Sequence, residues 1–403
     1  MAWTLLSILL CSFLSVQALP EGFVSETIVS PSDEASTMGL FAPNLKSSDH
    51  PPMMLLMSKK LGRIRVLENV VSSNDETNST NLQEEEDGNV ILDLSENICN
   101  NGNRGLFSVA IHPNFLETQW VYVYYTQWRE GCLEDAMMGP QNVLVRYTMN
   151  PATLALENEE LLMEFGSSGT QIRNGGAMAF GTDGLLYLAT GDGGIGQSAQ
   201  NRQNLFGKLL RLRDDGRPPE DNPYAAMGFP CGKSNGRVPN EFAFLQQEVY
   251  CSEIYSWGLR NPVKLALNAQ QSNENKALFA VSDVGADAFE ELSWVGTEYK
   301  ARNYGWPVRE GPCAASTQLP LCSPLLSGSN FVDPFHYYPH NRVGRLAGSV
   351  FVPDKTWPSK YNFLFLDMEF EKIYNLVEDS SAECIESCYP PTSGFVNTTC
   401  TFI

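Results

Sequence analysis

A recurring pair constrains this chain most: a turn rich in Gly, Asn or Asp, followed by a short run of apolar and aromatic residues. Examples are WVYVYYT (residues 120–126), LLYLAT (185–190), ALFAVSDV (277–284) and YNFLFLDM (361–368). Near-continuous apolar runs of this length predict strands covered on both faces, as happens when sheets stack on sheets. MMLLMSKKLGRIRVLENV (53–70) reads as two more strands around a Lys-Lys-Leu-Gly turn. The alternation of strand and helix that a parallel α/β sheet needs is missing from the pattern. The chain has 403 residues with 32 Gly, 24 Pro and 11% aromatics. Over that length many small sheets around an axis, an all-β propeller, fit better than a sandwich. Spacing between the runs is irregular, so no sharp period counts the blades.

Charge narrows the partners. Lys plus Arg total 27 against 47 Asp plus Glu, a formal charge of -20. A phosphate backbone or an anionic membrane surface would be repelled, which argues against nucleic acid as a partner. Only 18% of residues are charged, which disfavours coiled coils. The histidines His50, His112, His336 and His340 are too few and too scattered for a His-rich metal enzyme, and neither His-Glu-x-x-His nor Gly-x-Ser-x-Gly occurs.

The chain begins MAWTLLSILLCSFLSVQA (1–18), apolar from Ala2 to Val16, with small residues placed for cleavage after Ala18. This predicts a secretory signal peptide without the usual basic start. It is shorter than the ~20 residues a membrane span needs, and no other segment approaches that length. The expectation is a secreted protein with no membrane span. Export implies an oxidising compartment, and the local pairs Cys99 with Cys132, Cys231 with Cys251 and Cys313 with Cys322 would each staple an insertion loop. Of Cys384, Cys388 and Cys400, one is left over. Sequons at Asn78 and Asn397 agree with a glycosylated surface. The stretch 72–89, almost wholly polar and ending in an acidic run, reads as a solvated loop. The expected layout is signal 1–18, a leader over 19–50, the propeller over 51–379 and a Cys-rich tail over 380–403.

The densest stretch is IRNGGAMAFGTDGLLYLATGDGGIGQSAQN (172–201). Gly191, Gly193 and Gly196 spell a dinucleotide fingerprint after an apolar strand. The following QSAQNRQN is a poor helix start and no second βαβ unit appears, so a glycine-rich loop at a propeller mouth explains the residues better.

GLFSVAIHPNF (105–115), NGGAMAFGTDGLLYLATGDGG (174–194), LFGKLLRLRDDGRPPEDNP (205–223), SWGLRNP (256–262), DVGADAFEEL (283–292) and NYGWPVREG (303–311) stand in this order. With these motifs the chain resembles the glucose/sorbosone dehydrogenase family, which comprises soluble sugar dehydrogenases using pyrroloquinoline quinone (PQQ) and the hedgehog-interacting-protein-like proteins. The resemblance covers about residues 53–375. It implies a six-bladed propeller with the quinone in a cleft on its top face, held with the help of Ca2+. Sugar oxidation needs a base for the hydroxyl proton, a hydride acceptor and a cation to polarise the quinone. The family's base is a His directly before Asn-Gly-Gly, oriented by an Asp after the next strand. Here those positions are Arg173 and Asp192, and a guanidinium stays protonated and cannot act as that base.

By the same resemblance Gln197 would contact sugar, Arg260 and Asn261 would face the quinone, the carbonyls of Gly285 and Ala286 would hold Ca2+, and Tyr304 and Trp306 would wall the cleft. Each also has a purely structural use: Asp192 closing a turn, Arg260 pairing with a buried carboxylate, Tyr304 and Trp306 packing as core aromatics. Two further departures concern the ends of the pattern. GSVFVP (348–353) lacks the basic residue the family often carries, and the familiar last-blade segment is replaced by the Cys-rich tail, so the last blade is expected to be incomplete or atypical. Two functions follow. One is PQQ-dependent oxidation of an aldose or polyol. The other is a non-catalytic propeller that binds a glycan, an anionic ligand or an extracellular protein, where Arg173 suits a carboxylate or phosphate.

Overall fold

The computed structural model describes residues 38–43, 45, 53–67, 90–132, 139–167, 170–244, 249–311, 313–314, 331–340, 345–352, 363–368, 372–378 and 398–402. The expected signal peptide, the polar stretch 72–89, the asparagines of both sequons, Cys322, Cys384 and Cys388 lie outside them. Contacts divide the chain into two compact units between Ser167 and Ser168.

The unit before that division contains two four-stranded antiparallel sheets, each a meander in chain order. The first comprises Met38–Ala42, Met53–Ser58, Arg63–Leu67 and Val90–Asp93, and the second Leu106–Ile111, Trp120–Gln127, Gln141–Met149 and Leu156–Ser167. The expected turn between residues 58 and 63 is present, and the expected leader contributes the first strand through its pairing with Met53–Ser58. Val121, Val123 and Tyr125 pack with Leu55, Met57, Val143 and Val145 in one core. Tyr122 and Tyr124, which alternate with them, are equally buried. That double burial is what an unbroken apolar strand requires.

The unit after the division holds three more such sheets. Gly175–Phe180, Leu186–Thr190, Lys208–Leu212 and Ile254–Trp257 form the third; Pro262–Leu267, Leu278–Asp283, Phe289–Gly296 and His336–Pro339 the fourth; Leu346–Phe351, Phe363–Asp367, Lys372–Glu378 and Thr398–Phe402 the fifth. A two-stranded hairpin, Arg309–Glu310 with Cys313–Ala314, precedes the last strand of the fourth sheet. Phe279 and Val281 pack with Tyr187, Ala189 and Leu209 of the third sheet. Ala280, between them, packs with Leu346 and Phe365 of the fifth. Alternate residues of one strand thus serve two neighbouring sheets, which is why ALFAVSDV carries no polar face.

The fold is an all-β propeller with five four-stranded blades among the described residues, and this corrects the six blades that the family resemblance implies. Chain length goes into connections instead. Between Lys208–Leu212 and its partner Ile254–Trp257 lie two 3-10 turns, Cys231–Lys233 and Asn240–Phe244, and the Cys231–Cys251 disulfide. A second disulfide joins Cys99 to Cys132. The last blade has its full set of strands, because the tail strand Thr398–Phe402 pairs with Lys372–Glu378. The single α-helical turn among the described residues is Phe115–Thr118, and no helix there is long and apolar enough to cross a membrane.

Candidate functional site

The site is built where strands of the third and fourth blades run out into loops. Leu186–Thr190, buried throughout, delivers Gly191 and Asp192 beside the approach to Gly175–Phe180. A Cβ at Gly191 would lie 2.0 Å from the Arg173 carbonyl oxygen, so only glycine permits this contact. The backbones are then stitched together: Gly191 N–H donates to the Asn174 carbonyl at 2.9 Å, and Gly193 N–H to the Arg173 carbonyl at 3.0 Å. Arg173 takes φ 57° to make this possible, a conformation that costs a non-glycine residue ~1–2 kcal/mol.

The Asp192 side chain is fully buried. Its Oδ1 accepts from Gly194 N–H at 2.7 Å, and its Oδ2 from the Trp306 indole at 2.7 Å. Arg173 Nη1 reaches the same Oδ2 at 3.5 Å, with 28% of the arginine side chain exposed. The Arg173 and Arg260 guanidinium carbons lie 5.9 Å and 5.2 Å from the Trp306 ring centroid, within cation–π range. Two cations thus address one indole. Burial, and next the neighbouring Arg173, pull the Arg260 guanidinium below its ordinary value.

Arg260 and Asn261 are held by Asp283, whose carboxylate accepts their backbone N–H groups at 2.9 and 2.6 Å. Burial pushes the Asp283 carboxyl up to about 7. Asn261 Oδ1 accepts from Gly175 N–H at 3.1 Å, and the Arg260 carbonyl from Asp192 N–H at 2.8 Å. Arg260 Nη1 donates to the carbonyls of Val284, at 2.8 Å, and Gly285. Its Nε is buried with no hydrogen-bond partner among the described residues. Arg260, Asp283, Val284, Gly285, Glu291, Trp306 and Glu310 line one narrow cavity.

Arg173, Asp192, Arg260, Asn261, Gly285 and Trp306 therefore come together. Gln197 is exposed on the 3-10 turn Gly196–Ala199, whose Gly196 lies near Trp306, since an added Cβ there would sit 3.4 Å from the indole nitrogen. Tyr304 belongs to the core beside Tyr187 and Phe279, with its hydroxyl donating to the Trp294 carbonyl at 2.8 Å. Ala286 directs its N–H to Glu310 at 2.6 Å. Val352, where the family often carries a basic residue, is buried.

The reading of the sequence passed over the carboxylates. Asp283, Glu290, Glu291 and Glu310 surround the Gly285 turn, and His340 Nδ1 meets Glu290 Oε1 at 2.5 Å, a contact that raises the imidazole above its ordinary value. The signal was the acidic residues inside DVGADAFEEL and NYGWPVREG. What hid them is that Glu310 acts on residues 286–289, far away along the chain.

An all-β propeller with a loop-built, cation-lined cleft defines the class to which comparison can be made. The model of the family described as Glucose / Sorbosone dehydrogenase matches residues 48–229 and 231–387, and the chain belongs to that family. It is 27% identical over 342 residues to the HIPL2 protein of Arabidopsis thaliana, covering 74% of this chain and 48% of that one. To quinoprotein glucose dehydrogenase B of Acinetobacter calcoaceticus it is 28% identical over 320 residues, covering 73% of this chain and 59% of that protein. The chain spans about half the length of these curated relatives. Among solved structures, the PQQ-bound aldose sugar dehydrogenase of Streptomyces coelicolor shares the fold with TM-score 0.57 and 20% identity, over 90% of this chain and 80% of that one.

Proposed function

We propose that the cleft around Trp306 holds an anionic ligand, with PQQ as the family's candidate, and that this chain oxidises sugars slowly there. One observation carries the reading. The position that would need a proton acceptor holds Arg173, tied to the buried carboxylate of Asp192 at 3.5 Å. A guanidinium keeps its proton at physiological pH, so it binds anions and abstracts nothing.

The residues present suit a flat, aromatic polycarboxylate such as PQQ. Trp306 offers a half-buried indole, the guanidinium groups of Arg173 and Arg260 lie at its ring, and Arg260 Nε is a buried donor with no partner among the described residues. Arg260 and Trp306 would hold the group, and Asn261 fixes the loop that carries Arg260. The quinone supplies, when bound, a two-electron acceptor for a sugar hydroxyl. Asp192 keeps Arg173 and the indole in place through Oδ2, while its Oδ1 holds the Gly194 N–H. Gln197, exposed beside this loop, is available to sugar hydroxyls. The apolar signal-like segment 1–18 and the two disulfides support an extracellular setting, in which a sugar, a glycan or a protein partner would meet the cleft.

The test is a titration of the purified protein with PQQ, followed by quinone absorbance and by dye reduction with a panel of aldoses. Saturable binding with turnover far below that of a variant carrying a base at position 173 is the expected result. Fast turnover by the natural chain would overturn the reading, as would failure to bind PQQ.

A further inference from the structure

The family resemblance asks the turn at Gly285 and Ala286 to present carbonyl oxygens to Ca2+. The turn is built with the opposite polarity. Glu310 Oε1 accepts the backbone N–H groups of Ala286 (2.6 Å), Asp287 (3.0 Å), Ala288 (3.0 Å) and Phe289 (3.2 Å). These residues form a nest around an anion, with the positive ends of successive peptide dipoles converging on it. The neighbouring carboxylates are engaged in the same way: Glu290 Oε2 accepts from Gly285 N–H at 3.2 Å, Glu291 from Gly311 N–H, and Asp283 from the N–H groups of Arg260 and Asn261. Both carbonyl oxygens that face Arg260, those of Val284 and Gly285, accept its Nη1.

Calcium needs roughly 6–8 oxygen ligands converging on one point. In this turn one oxygen each of Glu310, Glu290 and Glu291 and both of Asp283 accept N–H donors, and the Gly285 carbonyl, one of the two expected ligands, accepts a guanidinium together with its neighbour Val284. The donor set therefore does not fit the ion that the family implies.

We propose that the Arg260 guanidinium is the resident cation of this cleft, occupying the Val284 and Gly285 carbonyl oxygens, so that the cleft binds its anionic ligand without calcium. A guanidinium is a permanent cation with several donors, so the occupant is a molecule that brings its own carboxylate or phosphate and no divalent ion. The ligand half of this proposal rests on the reading of the Trp306 cleft as the ligand site. The cation half stands on the free protein.

The two halves are measured separately. Trp306 lines the same cavity as Val284 and Gly285, so Tb3+, a calcium mimic, bound at those carbonyls would be sensitised by its indole. Under tryptophan excitation the natural chain and Trp306→Phe should give the same terbium emission throughout a titration. A saturable component that Ca2+ displaces and that Trp306→Phe lacks would overturn the proposal. Independently of any variant, PQQ is titrated in excess EDTA and in saturating Ca2+. Dissociation constants within about twofold are expected, and a loss of about tenfold or more in EDTA, near 1.4 kcal/mol, would overturn the proposal. If PQQ binds under neither condition, the proposed function fails while the terbium measurement still decides the cation.

Discussion

Arg173 carries two burdens at once, a left-handed backbone and a charge facing the buried Asp192. Replacing it with His supplies a group that can lose a proton. In the presence of PQQ, Arg173→His should raise aldose-dependent dye reduction by ~10²- to 10⁴-fold, the usual contribution of a general base. If that variant binds the quinone and turns over no faster, loss of the base is not what limits the site. A second residue-scale prediction concerns pH. The Asp283 carboxyl is raised to about 7 by burial, so the native state holds its proton more tightly than the unfolded chain does. The stability this contributes is fully present below the unfolded carboxyl value of ~3.9 and is lost as pH rises through about 7. Melting temperatures taken from about pH 5 to about pH 8 should therefore fall more steeply for the natural chain than for Asp283→Asn. Equal slopes would contradict the raised carboxyl. Arg173 and Asp192 were legible in the sequence because motif and strand place them. The roles of Asp283 and Glu310 were not, since each depends on N–H donors supplied by other segments.

At the scale of elements, the turn after Leu278–Asp283 positions most of the site. A Cβ at Gly285 would lie 1.6 Å from the Phe289 carbonyl oxygen, a backbone atom that cannot step aside. Gly285→Ala should cost ~1–3 kcal/mol in urea unfolding and weaken PQQ binding with it, because Arg260 is anchored on this turn; unchanged stability would show that the turn is not tight. The Cys231–Cys251 disulfide, with a sequence separation of 20, closes the long connection inside the third blade. Breaking it with Cys231→Ser plus Cys251→Ser should cost ~3 kcal/mol by the loop-closure argument, read from the shift in denaturation midpoint. Both pairings now described, 99 with 132 and 231 with 251, follow the local spacing of the cysteines. The aromatic pair in NYGWP shows the limit of such reading: Tyr304 enters the core and Trp306 the cleft, and no periodicity separates residues that sit in a turn.

For the whole molecule, the tail decides how the last blade ends. Thr398–Phe402 covers Lys372–Glu378, so a chain stopped after residue 379 should expose that strand's hydrogen-bonding edge and self-associate. Size-exclusion chromatography checks this, and a monodisperse truncated protein would show that the tail strand is dispensable. The sequence by itself determined an all-β, multi-sheet chain, the order of its strands around the quoted runs and the family, because apolar runs, turn residues and motif order are local properties. Tertiary structure alone decided the number of blades and the tail's place as a fourth strand, since strand pairing joins segments whose separation the residues do not encode. It also decided that a guanidinium takes the Gly285 carbonyl, one of the two where an ion was expected. That outcome depends on backbone oxygens and N–H groups converging from several loops, and the direction in which a peptide group points is not written in any side chain.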